Sequence, residues 1–168
     1  VLDLSRILAG PWASQALADF GAEVWKIEHP IKGDDTRHWG PPFLKDSLGN
    51  QSDISAYFLC ANRGKKSVAI DITSKQGQQH IHQLVKHADI VIENFKVGGL
   101  KKYGLDFESL TLIKPDIIYC SITGFGQTGP KAPQAGYDAM IQASGGLMSI
   151  TGNPTGSEGA GPQKVGVA

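Results

Sequence analysis

Apolar positions recur with two periods along this chain, and the change from one period to the other marks its elements. The opening run Val1–Leu4 predicts a short buried strand. Gly10-Pro11 then sets up a helix through Trp12–Phe20, with Pro11 in the first turn, where its missing N–H leaves no intrahelical bond unmade. Gly21 ends that helix, as glycine does at a left-handed C-terminal position. Ala22–Glu28 (AEVWKIE) alternates as a strand does, and Pro30 stops it. Residues 31–53 are polar and punctuated by Gly and Pro, which predicts a long surface loop of the kind that often carries function. Ser55–Asn62 predicts a short helix and Lys66–Ile72 (KSVAIDI) a strand. Thr73 or Ser74 then caps a helix through Lys86. Asp89–Phe95 predicts a strand, Leu105–Ile113 a helix stopped by Pro115, and Asp116–Thr123 a further strand.

Strands alternating with helices predict an α/β fold: an open, mostly parallel, Rossmann-like sheet with helices on both faces, because parallel strands need crossover connections. Residues 1–168 are read as one piece of a large α/β domain. In such sheets ligands sit outside the carboxyl ends of the strands. Those ends carry Ser5-Arg6, Glu28-His29, Asp71-Ile72-Thr73, Asn94-Phe95-Lys96 and Thr123-Gly124-Phe125-Gly126, all rich in polar groups or glycine.

Composition narrows the function classes. Lys+Arg and Asp+Glu balance at 16 each, so no bulk field favours nucleic acid or an anionic membrane. No apolar run approaches the roughly 18–20 residues a bilayer span needs, and the start carries no charged-then-apolar signal. The expectation is a soluble protein of the cytoplasm, or of the mitochondrial matrix in a eukaryote. Cys60 and Cys120 fit no metal-ligand spacing and read as reduced thiols beside strands. The start at Val1, without an initiator Met, and the apolar run Lys164-Val165-Gly166-Val167-Ala168 at the end read as cut edges of a longer protein.

Candidate chemistry is sparse. The turn after the first strand, Ser5-Arg6-Ile7-Leu8-Ala9-Gly10-Pro11, lacks the glycines of a dinucleotide fingerprint, and no phosphate-loop pattern of the Walker type exists. Basic residues near strand ends, notably Arg6 and Lys102, are either solvated surface or phosphate ligands. Gly124-Phe125-Gly126-Gln127-Thr128-Gly129-Pro130 permits close backbone approach to a ligand and equally reads as a plain turn. Asp138 reads as a helix cap, and the helix it starts ends at Gly145-Gly146. Trp12, Trp25 and Trp39 read as packing residues, and His80, His82 and His87 as the water-facing side of one helix. No metal-ligand spacing stands out. The residues support a binding face for a phosphorylated small ligand and identify no reaction.

Taken together, the motifs resemble a known family. Val1-Leu2-Asp3-Leu4-Ser5-Arg6-Ile7-Leu8-Ala9-Gly10-Pro11, then Leu17-Ala18-Asp19-Phe20-Gly21-Ala22-Glu23-Val24-Trp25-Lys26-Ile27-Glu28, Gly33-Asp34-Asp35-Thr36-Arg37, Asn62-Arg63-Gly64-Lys65-Lys66-Ser67, Glu93-Asn94-Phe95, Ser121-Ile122-Thr123-Gly124-Phe125-Gly126 and Gly136-Tyr137-Asp138 follow in order over the whole chain. The set resembles the N-terminal portion of the family III coenzyme A transferases, the group of formyl-CoA transferase and carnitine CoA-transferase. Gly33 to Phe43 is similar to the succinyl-CoA:glutarate branch that acts on dicarboxylates.

That resemblance implies transfer of CoA between carboxylic acids through an aspartyl anhydride and an aspartyl-CoA thioester, with CoA as substrate and no permanent cofactor. It implies an aspartate nucleophile a few residues after Ala168, a second smaller domain beyond it and an interlocked homodimer of the complete protein. Leu8, Ala9 and His29 would line the nucleotide end, with Arg6 nearby, and Ile70, Asp71, Ile72 and Thr73 would pack near the adenine. The family usually has Arg at the place of His29 and often at the place of Lys102. Asn94, Phe95 and Lys96 would flank the pantetheine arm, and Ala135, Gly136, Tyr137 and Asp138 the thioester. Racemases of 2-methylacyl-CoA share the fold but carry a catalytic His at Tyr137, and a phenol is a poor base for α-proton removal at neutral pH. A standalone CoA- or nucleotide-binding module is the remaining alternative.

Overall fold

The computed structural model describes residues 1–166. Five strands form one sheet in the order β5-β2-β1-β6-β7, where β1 is Leu2–Asp3, β2 Val24–Glu28, β5 Lys65–Ala69, β6 Ile90–Glu93 and β7 Ile118–Ser121. Each adjacent pair is parallel, with Leu2 opposite both Trp25 and Val91. The sequence runs outward from β1 to β2 and β5, then returns to the other side for β6 and β7. That reversal makes the gap between β1 and β6 the switch point of the sheet, where crevices form beyond the strand ends.

The two faces of the sheet differ in chemistry. One is apolar. Leu2, Leu4, Ile27 and Val91 join Ile81 and Val85 of α3 (Lys75–Val85) and Leu110 of α4 (Phe107–Thr111) in a buried cluster. Ser74 caps α3, its Oγ accepting the Gly77 N–H at 3.0 Å. The other face, against α1 (Ala9–Asp19), sets polar groups beside the buried Val24 and Ile92: Asp3 accepts hydrogen bonds from Ser5 and from Ser14 of α1. Gln15 of α1 donates to the Cys60 carbonyl of α2 (Ala56–Asn62) at 3.0 Å and accepts the Arg63 N–H at 2.7 Å. Gly10 admits no side chain, since a Cβ there would overlap Ser5. Gly21 stands at φ 95, as the C-terminal reading requires.

Several details differ from the sequence reading. Residues 31–53 are not one loop: they hold a 3-10 turn at Asp35–His38, then β3 (Phe43–Lys45), which pairs antiparallel with β4 (Gln51–Ser55). This hairpin lies outside the main sheet; half of its strand residues are exposed, and they carry no apolar alternation. His82 does not face water, because its Nε2 lies 2.9 Å from the Gly104 carbonyl, and His87 falls beyond the end of α3. Cys60 sits in a helix rather than beside a strand. Trp12 and Trp39 are nearly half exposed, and only Trp25 packs against the core.

The described residues separate into two units, the first ending at Ile122 and the second beginning at Thr123. The second unit holds α5 (Asp138–Ser144) and a 3-10 turn at Leu147–Ile150. Of the terminal apolar run, Val167 and Ala168 lie outside the described residues.

Candidate functional site

The sheet brings Arg6, Leu8, Ala9, Asn94 and Phe95 to the switch point, from the turn after β1 and the turn after β6. Asn94 joins the two turns: its Oδ1 accepts the Arg6 N–H at 2.8 Å, and its Nδ2 donates to the Arg6 carbonyl at 2.7 Å. The Arg6 guanidinium lies 5.4 Å from the centre of the Phe95 ring and 3.4 Å from Asp35. Beneath this turn α1 begins. Its first backbone N–H groups lack intrahelical partners, and its N-cap Leu8 supplies no side-chain bond.

Further along the same edge, His29 follows β2 and Asp71–Thr73 follow β5. His29 Nδ1 accepts the backbone N–H groups of Ile31 and Lys32 at 3.2 and 3.3 Å, so Nε2 carries the proton of the neutral ring. Glu28, His29, Lys32, Arg37 and Asp53 are among the residues lining a cavity of about 240 Å³. A second cavity of about 190 Å³ includes Ile70, Asp71, Ser74 and His80. Ile70 also belongs to the core cluster, whereas Asp71 holds the turn by accepting from Thr73 N–H and Oγ1 at 2.9 and 2.7 Å. Lys96 is exposed, and Lys102 extends over the Tyr103 ring at 4.7 Å.

Ala135, Gly136, Tyr137 and Asp138 belong to the second unit. Tyr137 is 76% exposed and forms the N-cap of α5 without a side-chain bond. Asp138 is therefore not the cap: it lies in the first helical turn, where it accepts from Gln142 at 2.9 Å and pairs with Lys164 at 2.7 Å. Gln142 also grips the backbone of Val165 in both senses, donating to its carbonyl at 3.0 Å and accepting its N–H at 2.9 Å. Gly124 and Gly136 meet Cα to Cα at the base of the intervening loop, and a Cβ on either would overlap the other.

The sequence reading missed the ionic groups below the edge. Lys26 and Asp34 pair at 2.9 Å with side chains 1% and 0% exposed. Lys65 pairs with Asp3 at 3.1 Å and donates to the Pro11 carbonyl at 2.7 Å. Burial pulls the Lys65 ammonium down to about 8, against the attraction of Asp3. Glu28 accepts two bonds from Arg37 and one from Ser67, each 2.7 Å, and together with the Asp34 N–H these outweigh burial and hold its carboxyl below its ordinary value. Burial also opposes the Asp34 charge, and Lys26 and Thr36 overcome it, so that carboxyl too is lowered. One signal was available: in AEVWKIE, Lys26 and Glu28 share a strand face with the buried Val24. Among the described residues, no three His, Cys, Asp or Glu side chains gather where a metal ion could be held.

Residues 1–168 match the sequence model of CoA-transferase family III. The chain belongs to CoA-transferase family III. Among curated family members, the succinate–glutarate CoA-transferase of Agrobacterium fabrum is 55% identical over all 168 residues, which amount to 41% of its own length. The succinyl-CoA:glutarate CoA-transferase of Homo sapiens is 49% identical over the same span, 36% of its length. The crystal structure of a CAIB/BAIF family protein from Brucella suis superposes with a TM-score of 0.89 at 55% identity, covering 99% of this chain and 42% of that one. The chain thus spans about two fifths of the length of the family III proteins it matches. The expected parallel α/β sheet is the one observed.

Proposed function

We propose that this chain is the CoA-binding part of an enzyme that moves CoA from an acyl-CoA, such as succinyl-CoA, to a dicarboxylate, such as glutarate. The observation that carries the proposal is its 55% identity, over every residue, to a protein named for succinate and glutarate. The polar carboxyl edge of the sheet supports it, since such an edge is where this architecture binds nucleotide-like ligands.

In this reading, an aspartate carboxylate beyond Ala168 attacks the thioester carbonyl and expels the CoA thiolate, giving a mixed anhydride. The thiolate attacks the aspartyl carbonyl, releasing the donor carboxylate and leaving an aspartyl-CoA thioester. The acceptor carboxylate displaces the thiolate to form a second anhydride. Attack of the thiolate on the acceptor's carbonyl then yields the new acyl-CoA and frees the aspartate. No water enters, and none is tolerated, because the anhydrides hydrolyse readily.

The chain's own residues serve binding. Leu8, Ala9 and the turn held by Asn94 receive the CoA backbone, with Phe95 and Lys96 beside the pantetheine arm. His29 and Asp71–Thr73 meet the nucleotide end, Lys102 adds charge, and Tyr137 shields the reacting carbonyl. The complete enzyme is a homodimer of the cytoplasm or mitochondrial matrix. The test is incubation of the full-length protein with succinyl-CoA and a panel of dicarboxylates, read as CoA esters by mass. Glutaryl-CoA formed with one succinate released per turnover supports the reading. Loss of succinyl-CoA to free CoA alone, with every acceptor, contradicts it.

A further inference from the structure

The turn after β1 holds a conformation that its own sequence disfavours. Ile7 is the one non-glycine residue at positive φ among the described residues, at 69°. A β-branched side chain in the left-handed region is strained and persists only where its surroundings over-determine it. The surroundings here are identifiable. Both carboxylate oxygens of Asp34 accept the Ile7 N–H, at 3.3 and 3.1 Å. Lys26, paired with Asp34, donates to the Ser5 carbonyl at 2.8 Å. Between those two points, Asn94 holds the N–H and carbonyl of Arg6. Three successive residues are thus fixed by side chains remote in sequence.

Asp34 is itself locked. Its Oδ1 accepts from Thr36 N–H at 3.0 Å and Thr36 Oγ1 at 2.7 Å, and its own N–H donates to Glu28 Oε2 at 2.8 Å. A wholly buried ion pair is a poor source of net stability, because desolvation offsets most of the attraction. Its position under a strained turn at the switch point gives it a different use.

We infer that Asp34 is a positioning residue for the ligand site: with Lys26, it holds the Ser5–Ile7 backbone in the one conformation that presents Leu8, Ala9 and the start of α1 to the ligand. The inference rests on the reading of this edge as the CoA site. Asp34 touches no ligand and acts through Ile7.

The test uses the full-length protein carrying Lys26→Met with Asp34→Asn. This pair removes both charges yet keeps an amide oxygen for Thr36, so the fold is retained. Three quantities are read: melting temperature, exchange of the Ile7 amide proton, and CoA affinity by calorimetry. The expected result is a melting temperature near that of the wild type and an Ile7 amide that exchanges at least about tenfold faster. The CoA dissociation constant should rise about tenfold or more, the scale of one charge-assisted hydrogen bond. Thr36→Val, which removes only one bond to Asp34, is the milder variant should the pair unfold. It is expected to weaken CoA binding about twofold with only a modest fall in melting temperature. Unchanged CoA affinity in a folded variant whose Ile7 amide is freed overturns the inference, as does an Ile7 amide that exchanges no faster. A wild-type protein that binds no CoA removes the site reading itself, and the positioning role with it.

Discussion

Arg37 grips Glu28 with a two-pronged hydrogen bond, Nε to Oε2 and Nη2 to Oε1, both at 2.7 Å, while its guanidinium lies 3.8 Å from the centre of the Phe58 ring. The contact ties the 3-10 turn at Asp35–His38 to the carboxyl end of β2 and to α2. Glu28 is almost wholly buried and Arg37 about a quarter exposed. Arg37→Ala should therefore cost about 3–4 kcal/mol, the lower part of the range for leaving a buried carboxylate without its cation. Arg37→Lys should recover only a minority of that loss, because an ammonium cannot form the fork. Urea unfolding of the three proteins measures both, and equal stability of Arg37→Lys and wild type would contradict the fork's importance.

Acid should unfold the protein through the same region. The folded carboxyls of Glu28 and Asp34 lie below their ordinary values, so each contributes stability that is present above the unfolded value, about 4, and lost as pH falls through the folded one. Lys65 acts at the other end of the scale. Its folded value of about 8 lies below the unfolded 10.5, so the unfolded chain holds the extra proton between them and stability rises across that window. Unfolding free energy measured from pH 3 to 10 should show both slopes. Asp34→Asn should flatten the acid slope and Lys65→Met the alkaline rise.

Much of the fold was legible because its parallel strands carry apolar runs between turn residues. Val24–Glu28, Ile90–Glu93 and Ile118–Ser121 lie inside the segments predicted as strands, and Ser74 caps α3 as its sequence implies. The hairpin of β3 and β4 was not legible, because its more buried positions hold Ser52 and Ser55 beside Phe43 and Ile54, so its burial leaves no apolar alternation in the sequence. The buried ion pairs escaped for a different reason. Lys26 and Asp3 look like surface residues by type, and only the tertiary meeting with Asp34 and Lys65 makes their burial possible. Leu8, Ala9 and Asn94 are expected at the ligand through resemblance alone, whereas the strain at Ile7 depends on φ and has no signature in residue type.

Gly136→Ala should open the loop between Gly124 and Gly136. The added methyl would meet backbone, which cannot swing aside, so a local loss of about 1–3 kcal/mol is expected. Limited proteolysis should then cut within residues 125–135 faster than in the wild type, while strands of the first unit keep their amide protection. Unchanged cleavage would show that the glycine contact does not hold the loop closed.

Tyr137→Ala in the full-length enzyme should raise acyl-CoA hydrolysis relative to transfer, since the ring is assigned to shield a reactive anhydride. Tyr137→Phe should be milder, as most of the shielding surface remains. An unchanged ratio of transfer to hydrolysis, with a lowered melting temperature, would make Tyr137 a packing residue.

The most direct measurement is amide hydrogen exchange of the full-length protein with and without CoA. CoA is expected to slow exchange at Ser5–Ala9 and Asn94–Lys96 in a saturable way, leaving the amino-end segments around Ala88 and Asp116 unchanged. Saturable protection at those amino-end segments, or none at Ser5–Ala9, would contradict a CoA site at the carboxyl edge.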